Sequence, residues 1–186
     1  MALFLFFPVT ERAMSSIAEL LDVARNGDIA RLSALIDSKA SLNVTDDLYH
    51  TPLHLAISYG HTSAVQMLID AKASLKMKRI GGMTPLHEAA YYGRIDIVKV
   101  LINSKADTNA KDYVGNTPLY CAVQESHKDI LWVLVDAKAD LDAKCSESLT
   151  ALHRTISVTS YRCLSTPRQR SIEKVIAAIC IGSGCL

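Results

Sequence analysis

The sequence predicts an all-α solenoid of stacked helix-turn-helix units joined by β-hairpin-like turns. Three observations predict it. The string Thr51-Pro52-Leu53-His54 returns as Thr84-Pro85-Leu86-His87, as Thr117-Pro118-Leu119-Tyr120 and as Thr150-Ala151-Leu152-His153, at intervals of 33 residues. An apolar run follows each of the first three: Val65-Gln66-Met67-Leu68-Ile69, Val98-Lys99-Val100-Leu101-Ile102 and Leu131-Trp132-Val133-Leu134-Val135. A short polar break then recurs as Ala71-Lys72-Ala73, Ser104-Lys105-Ala106 and Ala137-Lys138-Ala139. A fixed period of roughly 20–50 residues is the signature of stacked repeats, because one such unit cannot bury its apolar face alone.

Each element follows from local chemistry. A Thr before Pro suits a helix start: the hydroxyl caps free backbone N–H groups, and Pro at the first helical position loses no hydrogen bond. The first helix is brief and ends near Gly60, Gly93 and the matching Ser126. Its small residue, Ala56, Ala89 or Ala122, permits close approach of the next helix. The second helix is more apolar and is expected to face the core. The stretches around Asp46-Asp47, Gly81-Gly82 and Asp112-Tyr113-Val114-Gly115 suit tight turns. The expected organisation is an irregular apolar leader over 1–15, a capping repeat over 16–50, full repeats over 51–83, 84–116 and 117–149, and a degenerate C-terminal cap over 150–186.

The signature T-P-L-H-x-A, complete in two units and present with one or two substitutions in two more, resembles that of the ankyrin-repeat family. At the N-terminus, Ala24-Arg25-Asn26-Gly27-Asp28 lies 33 residues before Ile57-Ser58-Tyr59-Gly60-His61. The resemblance therefore extends over roughly residues 16–158, about five repeats in all. It implies a protein-protein interaction module, a scaffold, adaptor or stoichiometric inhibitor, that binds its partner on a concave surface of turn tips and first helices. It assigns His54, His87 and His153 to bonds that tie turn to helix. Stacking would hold these histidines roughly 10 Å apart, too far to share a metal. His61 and His127 fall at helix junctions and read as ordinary turn residues. The family places Gly just after the second helix, in a left-handed conformation; this chain has Lys39, Lys72, Lys105 and Lys138 there. The four lysines are expected to align along one edge, as a solvated row or as a stripe for an acidic partner.

Carried over by register, the expected partner-binding residues are Leu48, His50, Ile80, Met83, Tyr113 and Asn116 at the turn tips, and Tyr59, Tyr91, Tyr92, Gln124 and Glu125 on the first helices. Four of the seven tyrosines fall in this set. Tyr suits interfaces because its flat apolar ring ends in a hydrogen-bonding hydroxyl. Trp132 joins the set for a different reason. Its equivalents, Gln66 and Lys99, are polar, so it is expected to face outward unless the last helix or an inserted loop folds over it. That insertion lies near 159–170, where aligning Ile172, Val175 and Ile176 with earlier second helices requires about nine extra residues. It reads as a surface loop of the cap, or as a docking or phosphorylation-sensitive loop with Ser165, Thr166 and Ser171 among arginines.

Composition sets bounds on function. With 20 basic and 19 acidic residues the formal net charge is +1, which gives no electrostatic reason to expect nucleic acid. Hydrophobic residues make up 49% of the chain, ample for a folded core. The five cysteines, Cys121, Cys145, Cys163, Cys180 and Cys185, form no CxxC pair and read as reduced thiols of an intracellular protein, cytoplasmic or nuclear, with export left open. The leader Met1-Ala2-Leu3-Phe4-Leu5-Phe6-Phe7 is too short to span a bilayer and lacks the basic start of a signal peptide. With no Gly-rich phosphate loop or nucleophile motif, the expectation is a monomeric non-enzyme without cofactor or metal. The alternatives are the repeat portion of a larger membrane or signalling protein, and an exported effector that binds a host protein.

Overall fold

The computed structural model describes residues 7–141 and 143, with side chains from residue 16. Eight α-helices come in pairs: α1 (Phe7–Asn26) with α2 (Ile29–Asp37), α3 (Pro52–Tyr59) with α4 (Thr62–Asp70), α5 (Pro85–Tyr91) with α6 (Ile95–Asn103), and α7 (Pro118–Gln124) with α8 (Lys128–Asp136). The first helices of the pairs pack in sequence to form one layer, and the second helices form another. This is the all-α repeat solenoid expected from the register, with no strand among the described residues.

The core runs along the seam between the layers. Leu20, Leu32, Leu53, Ile57, Leu68, Leu86, Ile97, Leu101, Leu119, Ile130 and Leu134 are all essentially solvent-free. The small residue of each first helix sits where its size is needed: Ala56, Ala89 and Ala122 are wholly buried between neighbouring first helices. Burial of this kind stabilises by about 25 cal/mol for each Å² of apolar surface removed from water.

One sequence expectation is corrected at the N-terminus. The leader over 1–15 was expected to be irregular, yet α1 begins at Phe7. Pro8 lies in the first turn, where its missing N–H is no loss, and Glu11, Arg12, Ala13 and Met14 have strong or adequate helix propensity. The last repeat, the insertion near 159–170 and four of the cysteines lie outside the described residues.

Both kinds of helix end in the same way. After each second helix the N–H groups of two successive residues turn back onto the last carbonyls: Lys72 to Ile69 and Ala73 to Leu68, Lys105 to Ile102 and Ala106 to Leu101, with the same pattern at Lys39 and Lys138. The closing residue must be left-handed, and the four lysines stand there with φ of 59, 68, 66 and 59°. A Cβ in this conformation costs about 1 kcal/mol. Lys72→Gly and Lys105→Gly are therefore each expected to raise the unfolding free energy by ~1 kcal/mol. Urea unfolding followed by circular dichroism checks this, and a fall in stability would contradict it.

His61 and His127 are more than turn residues. Nε2–H of His61 donates to the carbonyl of Arg25 in the preceding pair (2.9 Å), and that of His127 to the carbonyl of Tyr91 (3.0 Å). Arg94 fills the same slot with a guanidinium N–H on the Ser58 carbonyl (2.9 Å). Each side chain passes over the glycine that ends the preceding first helix. At Gly93, with φ +72°, a Cβ would lie 2.6 Å from the His127 ring. These bonds staple each pair to its neighbour.

Candidate functional site

The hairpins between pairs present the site. In the first, the Asp46 carboxylate accepts the N–H groups of Leu48 (2.9 Å) and His50 (2.8 Å), and its other oxygen meets His50 Nδ1 at 3.0 Å. In the third, Asp112 accepts the N–H groups of Val114 (2.9 Å) and Asn116 (2.8 Å) and the Asn116 side-chain amide (3.0 Å). Neighbouring tips are joined by backbone bonds, Ile80 N–H to Leu48 O (3.1 Å) and Tyr113 N–H to Gly81 O (3.0 Å). Gly82 makes the second approach possible: a Cβ there would meet the Tyr113 backbone nitrogen at 2.6 Å.

The middle hairpin, residues 79–83, is built differently. Arg79 stands where Asp46 and Asp112 stand in the others. Its Nε–H donates to the carboxylate of Glu88, one Nη to the Ile80 carbonyl (3.2 Å) and the other to the Met83 sulfur (3.0 Å). Glu88 is 1% exposed, and its second oxygen accepts the hydroxyl of Ser58 from the preceding pair (2.7 Å). Sequence reading singled out neither Arg79 nor Glu88. The signal was present, because Glu88 occupies a slot that holds Leu55 and Cys121 in the flanking repeats. A carboxylate in an apolar slot needs a buried cationic partner.

The expected tyrosines stand at the ends of the first helices and on the third hairpin. The rings of Tyr91 and Tyr92 meet edge to face, with centroids 5.2 Å apart. Burial raises the Tyr92 phenol above its ordinary pKa, and the negative charge of Glu88 adds to the rise against the opposing effect of Arg79. Tyr59 stacks on His61 at 6.4 Å. Tyr113 is 74% exposed, with the Lys78 ammonium 5.7 Å from its ring centre. None of the hydroxyls of Tyr59, Tyr91, Tyr92 and Tyr113 has a hydrogen-bond partner among the described residues.

Of the other expected residues, Leu48, Ile80, Gln124 and Glu125 are exposed, while His50, Met83 and Asn116 are half-buried and also hold their hairpins together. Trp132 is set apart. It lies on α8, in the second-helix layer, and it is half-buried where Gln66 and Lys99 are exposed. Register reasoning missed Tyr49, which is 59% exposed at the first tip with φ of 61°. Among the described residues, the exposed large apolar and aromatic side chains are Leu48, Tyr49, Tyr59, Ile80, Tyr91, Tyr92, Tyr113 and Val114. All eight stand on the hairpins or at the end of a first helix, and the second helices contribute none.

The repeat histidines are committed to structure. His54 Nδ1 accepts the Thr51 N–H (3.3 Å) and its hydroxyl (2.9 Å), which leaves Nε2–H to donate to the Met83 carbonyl (3.3 Å). His87 repeats the pattern with Thr84 and the Asn116 carbonyl at 2.9 Å. Cys121 is a buried free thiol whose pKa burial pushes up to about 12, far from the range of a nucleophile.

Two family profiles match this chain. The one described as Ankyrin repeats (3 copies) covers residues 20–112, and the one described as Ankyrin repeat covers 114–146. The chain belongs to the ankyrin-repeat family. Among curated proteins, no match is found. Ankyrin repeats are generally protein-protein interaction modules and are typically not enzymes, which suggests a protein as the partner class. Among the described residues, no helix of this ankyrin-repeat protein is long and apolar enough to cross a membrane.

The lysine row is exposed along the ends of the second helices. Asp37, Asp70 and Asp136 close three of those helices two residues before Lys39, Lys72 and Lys138. Acid thus alternates with base along this edge, which weakens its claim as a stripe for an acidic partner.

Proposed function

We propose that this protein holds another protein against the face made by its hairpin tips and the ends of its first helices, in the manner of a scaffold, adaptor or stoichiometric inhibitor. The observation that carries the reading is the segregation of the eight exposed large side chains onto that one face. Half-exposed residues of this size leave roughly 100 Å² apiece, and together on the order of 800 Å², about what one partner gives to a standard interface. The tyrosine hydroxyls, which have no hydrogen-bond partner among the described residues, support the same reading, since each offers a donor and an acceptor to an incoming chain.

The partner-contact set is Leu48, Tyr49, Tyr59, Ile80, Tyr91, Tyr92 and Tyr113, with Gln124 and Glu125 at the end of α7. A Tyr59→Ala, Tyr92→Ala, Tyr113→Ala variant is expected to keep its helical circular dichroism. Its retention of partners in affinity purification followed by mass spectrometry should fall at least tenfold, since interface tyrosines commonly contribute about 2 kcal/mol each. Unchanged retention would count against this face.

A further inference from the structure

The register supplies an internal control for the middle hairpin. At its base the three described hairpins carry Asp46, Arg79 and Asp112; at the facing helical slot the three units carry Leu55, Glu88 and Cys121. The middle unit departs at both positions, and the two departures meet as an ion pair with the carboxylate almost wholly buried. Two units of the same chain form the hairpin and bury the helix without this pair. A buried ion pair brings little net stability over a well-packed apolar replacement, since desolvation of both charges offsets their attraction. Its presence therefore calls for another explanation.

The geometry indicates one. Arg79 donates in three directions at once, to Glu88 on α5, to the Ile80 carbonyl and to the Met83 sulfur. Ser58 of α3 joins the carboxylate from the neighbouring repeat. Four points on two repeats are thus held together, one of them at Ser58 beside Tyr59 in the chain, with the charges of Arg79 and Glu88 within electrostatic reach of Tyr92. The flanking hairpins hold themselves by an Asp that turns inward onto its own backbone and reaches no other element through that bond.

We infer that Arg79 and Glu88 are the specificity-determining pair of the proposed binding face: they set the position of Ile80 and Met83 relative to the tyrosines, and so the shape that a partner segment must match. This rests on the reading under Proposed function. Both are positioning residues, acting through the side chains they hold.

The test uses the full chain and, as probe, the tightest peptide selected on it from a phage-displayed library of random peptides. The double swap Arg79→Asp, Glu88→Leu converts the middle unit to the pattern of its first neighbour. It is expected to unfold at the same urea midpoint as the wild type or higher, yet to bind the peptide at least tenfold more weakly. Arg79→Lys keeps a charge opposite Glu88 but lacks the planar fork needed to reach all three acceptors. It is expected to keep its stability while amide exchange over residues 80–83 quickens at least tenfold. The inference is overturned if the double swap binds within twofold of the wild type, if it melts as low as Arg79→Met alone, or if Arg79→Lys leaves exchange unchanged. The exchange arm needs no ligand. Tyr59→Ala, Tyr92→Ala, measured on the same peptide, separates the two readings. If it too binds normally, the face itself is wrong; if it loses binding while the double swap does not, only the pair is wrong.

Discussion

Arg79→Met alone should lower the unfolding free energy of this ankyrin-repeat protein by ~3–5 kcal/mol, the usual result of leaving one half of a buried ion pair behind. The substitution removes little volume, and the bond it takes from the backbone, to the Ile80 carbonyl, is exposed to water. What it removes is the guanidinium facing Glu88, whose carboxylate is 1% exposed and, among the described residues, keeps only the Ser58 hydroxyl as a hydrogen-bond donor. The orphaned charge is where the large effect comes from, so Glu88→Leu added to Arg79→Met should restore most of the loss. Equilibrium urea unfolding of the wild type, the single and the double variant reads this directly. A single variant within about 1 kcal/mol of wild type would mean that the carboxylate finds other compensation, and the account of the site would fail.

Acidification should destabilise the fold between about pH 6.5 and 4, through the two buried histidines. His54 is fully buried, and its pKa is lowered to about 4, chiefly by burial and further by the charges of His50 and Arg79; the Met83 carbonyl bond and Asp46 oppose the shift. His87 is lowered for the same leading reason, against the Asn116 carbonyl. In the unfolded chain an imidazole titrates near 6.5. Above that pH both states are neutral and the full stability is present. As pH falls, the unfolded chain takes up protons first, and stability is lost until the folded His54 also titrates near 4. The linkage amounts to about 3 kcal/mol for His54, with a further loss of the same sign from His87. The Asp46 carboxyl belongs to a lower window. Burial raises it, but the bonds from His50 and Leu48 outweigh that effect and hold it below its ordinary value. Urea midpoints from pH 7.5 to 4.5 should therefore fall steeply in the wild type and less steeply in His54→Tyr, which copies the natural Tyr120 of the Thr117-Pro118-Leu119-Tyr120 unit. An equal slope in both proteins would show that His54 is not the group responsible.

Much of this was legible in the sequence because repetition turns a weak local signal into a strong one. A Thr-Pro step is a modest helix-start signal; recurring at a constant interval with Ala56, Ala89 and Ala122 in phase, it fixes the helices, the hairpins and the buried slot together. The family resemblance implies a left-handed residue after each second helix, and the register puts Lys39, Lys72, Lys105 and Lys138 at that slot. It failed where the chain leaves the pattern. The start of α1 at Phe7 lies ahead of any repeat, so only helix propensity could have marked it. His61 and His127 looked ordinary because their acceptors are backbone carbonyls of the preceding unit, which a side-chain pattern does not record. Arg79 and Glu88 were each visible as a departure, but nine residues and a hairpin separate them, and only the folded chain brings guanidinium to carboxylate.

The Arg79–Glu88 contact also says where such a chain can be cut and rejoined. A repeat excised at Thr84, where the motif invites the scissors, would carry off Glu88 and leave its cation behind, although the His54–Met83 and His87–Asn116 bonds, each within one Thr-to-Thr unit, would survive. A breakpoint a few residues after the left-handed lysine, over 73–77, moves the hairpin with the helices that follow and keeps the charges together. For recombination, the module inherited intact is the hairpin plus the helical pair after it, and the conspicuous T-P-L-H string lies in its interior.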